Sequence, residues 1–223
     1  MLPQTTLFLD TIMKKIILIG GGGHAKVIID ILRESDSYSI EGLVVNDPDS
    51  VKISDYPILG NDTILPDLYK SGLRNVALGV GGFTDNKNRT KLFNSVKSSG
   101  FHIISVIHPS TIISKTAIFG EGCVIYPGVT INSDVRIGDN VIISSGATID
   151  HEAVIDDNVL ISTGVTIGAY TRIMNGALLA LGSKIVAGVT IGRNSLVYAG
   201  SVVVHDVDED TNVLGVPARP LVL

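Results

Sequence analysis

Two stretches of this chain carry groups suited to chemistry. One is the run Gly20-Gly21-Gly22-Gly23-His24, which follows an apolar, β-branched segment over residues 15–19. Glycine lets a backbone approach a ligand closely, and the N–H groups of such a loop and of a helix that follows it can cradle a phosphate. Gly20, Gly22 and Ala25 come close to the G-x-G-x-x-G/A spacing of nucleotide-binding loops. The other stretch is Asp150-His151-Glu152, where one imidazole stands between two carboxylates in a region otherwise poor in reactive side chains. Imidazole exchanges protons near neutral pH, so this is a place for proton transfer.

The elements that must position these groups differ between the two halves of the chain. Residues 15–19 read as a strand and 25–33 as a helix, with Val27, Ile28, Ile31 and Leu32 at helical spacing. Further strands are expected over residues 41–45, closed by Asn46-Asp47-Pro48, and 75–80, closed by Gly79-Val80-Gly81-Gly82, with a helix over 84–98. The end of a second strand is where parallel α/β sheets contact a nucleoside, which makes Asn46 and Asp47 candidates, although both are also ordinary turn residues. Alternating strands and helices over residues 14–105 predict an α/β domain with a small Rossmann-like parallel sheet. That is about half of a full dinucleotide-binding domain and counts against a complete NAD site.

From residue 106 to 208 a different period takes over. Every sixth residue, from Ile107 through Ile113, Phe119 and Ile125 to Val197 and Val203, is large and apolar, and the fifth residue of each hexad is small, as at Thr111, Ala117, Cys123 and Ser201. A helix would send such residues to wandering faces and a simple strand would alternate every second residue. A triangular parallel β-helix, with one hexad per side and glycines such as Gly128, Gly146, Gly164 and Gly182 at the corners, accounts for it. One coil is then three hexads. His151 falls at an outward third position, and its column neighbours one coil away, Ser133 and Ala169, are small, so the imidazole is expected beside open space. His205 lies in the same column three coils on. At about 4.8 Å per coil the two are roughly 14 Å apart, too far to share a metal ion, and no metal is expected. Residues 1–13 read as an N-terminal extension and 209–223 as a C-terminal tail.

Composition narrows the partners. A net charge of -5 and a pI near 5.4, without a Lys/Arg cluster, disfavour nucleic acid. Cys123 is the single cysteine and sits at a small inward position, so no disulfide framework exists and a reducing, cytoplasmic setting is expected. The first dozen residues lack a basic leader and contain Asp10, which reads as neither signal peptide nor membrane span.

Taken together, the glycine loop with His24, Ala77-Leu78-Gly79 followed by Arg89, His108-Pro109-Ser110, Asp150-His151-Glu152 and the closing Gly215-Val216-Pro217-Ala218-Arg219 resemble the hexapeptide-repeat sugar acyltransferases of the sialic acid O-acetyltransferase and bacillosamine N-acetyltransferase type. The likeness runs from Lys14 to Arg219. It implies a left-handed coil, a homotrimer with sites between neighbouring helices, and acetyl-CoA as donor. By the resemblance His151 is the general base and Glu152 the residue that orients it. Gly22, Gly23 and His24 meet the phosphates or sugar of a nucleotide-sugar, Asn46 and Asp47 its nucleoside, and Gly79 lies close by. Acetyl-CoA passes Leu160, Leu181 and Ala199. The expected reaction is N-acetylation of a nucleotide-linked amino sugar such as a 4-amino-4,6-dideoxy sugar, with O-acetylation of a sugar such as sialic acid as the alternative. Three other classes compete: a nicotinamide oxidoreductase, a zinc enzyme of the γ-carbonic anhydrase type, and a solenoid that only binds.

Overall fold

The structure, a computed structural model, describes residues 13–221 apart from positions 36, 52, 54, 83 and 84, so the expected extension lies outside the described residues except for exposed Met13. Five strands, β1 (Lys14–Ile19), β2 (Tyr38–Val44), β3 (Ile58–Gly60), β4 (Asn75–Leu78) and β5 (His102–Ile103), form one parallel sheet in the order β3-β2-β1-β4-β5. Central β1 is buried from Ile16 to Ile19, as an unbroken aliphatic run between two layers requires. Helix α1 (Gly23–Glu34) covers one side through Ile28, Ile31 and Leu32, while α2 (Leu65–Lys70) and α3 (Lys87–Ser98) cover the other.

Two boundaries differ from the sequence reading in ways that matter for the site. Helix α1 starts inside the glycine run, so Gly23 and His24 belong to its first turn. Strand β4 stops at Leu78, because Gly79 passes against Gly20: the Gly79 N–H donates to the Ile19 carbonyl at 2.7 Å, and a Cβ on Gly20 would lie 2.8 Å from the Gly79 backbone. Both residues must be glycine for the two loops to close on each other.

From Val106 onward, two-residue strands recur every six residues and pair in parallel with the strand 18 residues on, as Ile131 with Ile149 and Ile149 with Ile167. They build three sheets, the faces of a triangular prism. Inside runs one continuous apolar core of the aliphatic and small columns, for example Ile149 with Ala147 and Ala153. Each buried aliphatic side chain contributes about 1.5–3 kcal/mol. Cys123 belongs to that core, and burial pushes its thiol up to about 11, which makes it an inert packing residue.

The first face, through Ile125, Ile143 and Ile161, differs from the other two on its outside. There Val106 and Val124 join the core beneath α1, and Ile142, Leu160 and Leu178 form an apolar cluster of their own. On the other two faces the corresponding outward places are mixed, with threonines, Arg136, Arg172 and Lys184 beside Ile112, Ile118, Val154 and Val202, and they form no such buried cluster among the described residues. The last coil is also short. Ile191 bridges to Val207 and Val197 pairs with Val213, both 16 residues on, so strict hexad counting loses register there. The residues read as a tail extend the first face through strands Asn212–Gly215 and Ala218–Pro220, whose antiparallel pairing closes its edge. Among the described residues no helix is long and apolar enough to cross a membrane.

Candidate active site

His151 stands at the corner between the second and third faces, with its side chain 44% exposed. Its backbone is braced by the neighbours that made it conspicuous in the sequence. The Asp150 carboxylate accepts from the Asn132 side chain at 2.9 Å and from the His151 N–H at 2.8 Å, which together hold this carboxyl below its usual range. Glu152 is the side chain facing the ring, with Oε1 at 3.7 Å from Nδ1, an ion-pair distance beyond hydrogen-bond reach. The space expected to be open beside His151 is covered on one side by a tyrosine and open on the other. Tyr170, one coil later, packs edge-on at 5.1 Å between ring centroids, and the nearby Glu152 carboxylate raises its phenol above the usual range. The column rule missed Tyr170 because it sits one position past Ala169. Glu152 and Tyr170 both have positive φ, 57° and 58°. A bulky residue in this region costs of order 1–3 kcal/mol, so this corner holds strain where the chemistry-bearing side chains are.

A second feature runs along the first face. A groove of 720 Å³ is floored by Ile142, Leu160, Leu178 and Leu196, edged by Ser162, Thr163, Leu181, Tyr198 and Ala199, and closed at one end by Gly23, His24, Gly81, Gly82 and Tyr126. The structure thus brings Gly23 and His24 together with Leu160, Leu181 and Ala199. Gly22 is the N-cap of α1. No side chain caps this helix and no acidic residue lies in its first turn, and side chains added at Gly22 or Gly23 would meet open space. The helix start therefore offers N–H donors to an anion. Gly79 lies behind, against Gly20 and Ala25.

The joint between domains is polar and buried. Arg89 is fully buried and donates to the carbonyls of Leu78, Val80 and Gly122 at 2.7–2.8 Å, and burial lowers its guanidinium to about 10. It also approaches His24 Nε2 at 3.3 Å, while His24 Nδ1 lies 2.6 Å from the Tyr126 hydroxyl with the two rings stacked. Burial, with the Arg89 charge second, lowers His24 to about 3, so its ring is neutral. Sequence reasoning picked out His24 and did not single out Tyr126, which lies on the other domain.

Asn46 and Asp47 line a smaller cavity of 220 Å³ with Gly20, Gly21 and Asp62. Asn46 is tied to Asp62 through both side-chain atoms, at 2.8 and 3.3 Å, and Asp47 caps the turn that follows by accepting from the Asp49 N–H. His151 and Glu152 line neither cavity within one chain. His205 is exposed at the shortened last coil, and among the described residues no group of three or more His, Cys, Asp or Glu is placed to hold a metal ion.

Residues 15–96 match the family described as the PglD N-terminal domain, and residues 116–151 match the bacterial transferase hexapeptide (six repeats). Comparison with curated proteins returns no match. Among solved structures, the chain is similar to PerB from Caulobacter crescentus in complex with CoA and GDP-perosamine, with 34% identity and a TM-score of 0.87 over 93% of this chain and 97% of that one. It is also similar to the acetyltransferase domain of PglB from Neisseria gonorrhoeae, at 27% identity and a TM-score of 0.85 over 93% and 100% of the two chains. WeeI from Acinetobacter baumannii, at 23% identity and a TM-score of 0.81 over 94% and 100%, shares the fold. A parallel-sheet domain followed by a left-handed hexapeptide β-helix defines an acyltransferase of the class that draws on acetyl-CoA. Within that class, the chain belongs to the hexapeptide-repeat sugar acyltransferases of the sialic acid O-acetyltransferase and bacillosamine N-acetyltransferase family.

Proposed function

We propose that the protein transfers an acetyl group from acetyl-CoA to the amino group of a nucleotide-linked amino sugar, of the 4-amino-4,6-dideoxy type, for a surface glycan. The observation that carries this reading is the meeting of the long groove with the uncapped start of α1 at Gly23 and His24. An apolar floor with a polar edge suits a pantetheine arm, and 720 Å³ lies within the usual range for a bound small molecule. The helix start suits a diphosphate, which a free sugar would lack. PerB binds CoA and GDP-perosamine. Leu160, Leu181 and Ala199 then follow the CoA, Gly22 and Gly23 the phosphates, and Asn46 and Asp47 the nucleoside.

His151 serves as general base in this reading. As the amine nitrogen attacks the thioester carbonyl, the neutral imidazole takes the proton, the C–N bond forms, and collapse of the tetrahedral oxyanion breaks the C–S bond to release CoA. The imidazolium returns its proton to the departing sulfur. Glu152 orients the ring and favours its charged form. Because His151 lies on another corner from the groove, the site is completed by a second copy of the chain, which supports a homotrimer with sites between solenoids. The working compartment in this reading is the cytoplasm, where acetyl-CoA and nucleotide-sugars are both at hand.

The test is turnover of acetyl-CoA with a panel of amino-sugar nucleotides, matching hydroxy-sugar nucleotides and free sialic acids. Acetylation of the amino-sugar nucleotides alone is expected. Turnover confined to hydroxyl acceptors would replace this reading with O-acetylation, and binding of acetyl-CoA and nucleotide-sugar without turnover would leave a solenoid that only binds.

A further inference from the structure

The buried chain of groups at the domain joint fixes the direction of one hydroxyl. Arg89 Nη1 has two hydrogens, taken by the Leu78 and Val80 carbonyls, and faces His24 Nε2 at 3.3 Å with at most a shared one. A guanidinium nitrogen cannot accept, so a proton on Nε2 would meet a donor and the ring keeps Nε2 as its unprotonated nitrogen. The proton of the neutral ring is then on Nδ1, which donates to the Tyr126 oxygen at 2.6 Å. Tyr126 cannot give its own hydrogen back to His24, and must direct it elsewhere. Burial pushes the phenol up to about 12, so the hydrogen is retained at neutral pH. His24 and Tyr126 both line the groove, at the end where the helix start meets the apolar floor at Leu160. Both nitrogens of His24 are occupied, so the polar hydrogen this pair can offer to a ligand belongs to Tyr126.

We propose that Tyr126 is a substrate-contacting hydrogen-bond donor, aimed by Arg89 and His24 at an acceptor oxygen where the acyl donor and the sugar meet. The relay makes the position selective for an oxygen without a hydrogen: a group that itself must donate finds no acceptor lone pair presented along this direction. Two ligand atoms have that chemistry, the thioester carbonyl and an oxygen of the nucleotide-sugar. Arg89 and His24 are positioning residues in this scheme. It rests on the reading of the groove as the acetyl-CoA site.

The test is Tyr126→Phe in the full chain, which keeps the ring and removes the hydroxyl, with calorimetric titration of CoA and acetyl-CoA and steady-state kinetics for both substrates. Loss of one such bond is expected to cost roughly tenfold. If the partner is the thioester carbonyl, acetyl-CoA binding weakens while CoA, which lacks that oxygen, binds as before, or kcat alone falls because the bond tightens on the oxyanion. If the partner is a sugar-nucleotide oxygen, KM for that substrate rises with both CoA affinities unaltered. Unchanged binding and kinetics overturn the proposal. His24→Asn is then compared in the wild-type and Tyr126→Phe backgrounds. A smaller loss in the second background is expected because His24 acts through the hydroxyl, and fully additive losses overturn the relay. Wild-type protein that fails to bind acetyl-CoA would sink the functional reading itself, whereas wild-type binding with an indifferent Tyr126→Phe sinks only this inference.

Discussion

Two corners of the solenoid have the same backbone and different residues. Where the first face turns into the second, the residue with positive φ is glycine at every described coil from Gly128 through Gly146, Gly164 and Gly182 to Gly200, with φ between 65° and 70°. Where the second turns into the third, the corresponding residues are Asp134, Glu152, Tyr170 and Gly188, with φ of 60°, 57°, 58° and 77°. The turn itself therefore needs nothing beyond a left-handed residue, which glycine supplies without steric cost. Glu152 and Tyr170 give up that ease, and both touch His151 or one another. Strain retained at side chains that meet His151 supports the proposal that this corner is used for something besides turning.

The largest effect that could break this contrast is on turnover. His151→Ala is expected to lower kcat by at least about a hundredfold, the lower end of the contribution of a positioned general base. Its stability should stay within about 0.5 kcal/mol of wild type, since the ring is half exposed and outside the core. His205→Ala, in the same column but at the shortened coil and distant from Glu152, should stay within a few fold. Near-normal turnover of His151→Ala with a defective His205→Ala would place the chemistry at the wrong end of the column. The next largest effect is on stability at the other corner. Gly164→Ala meets no steric neighbour but must hold φ near 70°, which is expected to cost about 1–2 kcal/mol in denaturant unfolding with no change in chemistry per folded molecule. An unaffected midpoint would mean that the corners tolerate side chains freely and that the contrast carries no information.

How far these features could be read from sequence follows from the range of the rule that produced them. The six-residue period gave every inward column through Val203, because stacking forces each coil to repeat the last. It failed where the chain dropped two residues, at Val207 and Val213, since a period says nothing about where it ends. His151 and the glycine loop were legible as residue types with short-range neighbours. Tyr126 was not, because its significance comes from His24, 102 positions away on another domain. Tyr170 was nearer to legible: a tyrosine at a left-handed fourth hexad position, where every other such residue except Glu152 is Gly, Asn or Asp, is a local anomaly that scanning the left-handed column as well as the inward ones would have exposed.

A smaller effect tests the strain directly. Glu152→Gly gives the second corner the residue of the first, so stability should be unchanged or rise by up to about 1 kcal/mol, while kcat falls. Glu152→Gln keeps the side chain's shape and the strain and removes the charge, so its activity should lie between those of wild type and His151→Ala. If Glu152→Gly loses stability, the side chain is there to hold the corner together and the comparison reverses.

The smallest expected effect concerns the phenol of Tyr170, and it separates a real contact from mere adjacency. The Glu152 carboxylate beside the Tyr170 hydroxyl favours the protonated phenol as an acceptor, and its negative charge opposes formation of the tyrosinate, so the phenol is raised. The ring is exposed, so water screens the charge and the shift should be modest. Ultraviolet titration of wild type minus that of Tyr170→Phe isolates this tyrosine from the other five. Its midpoint should lie above the usual value for tyrosine, about 10. The same difference taken in a Glu152→Gln background should move down, since the amide carries no charge to repel the tyrosinate. Because Tyr170 also meets the His151 ring edge-on, Tyr170→Phe preserves that contact, and its kcat should fall less than that of Glu152→Gln. If the two backgrounds titrate alike, Glu152 and Tyr170 are neighbours without coupling, and the strain at Tyr170 would need another explanation than the support of Glu152.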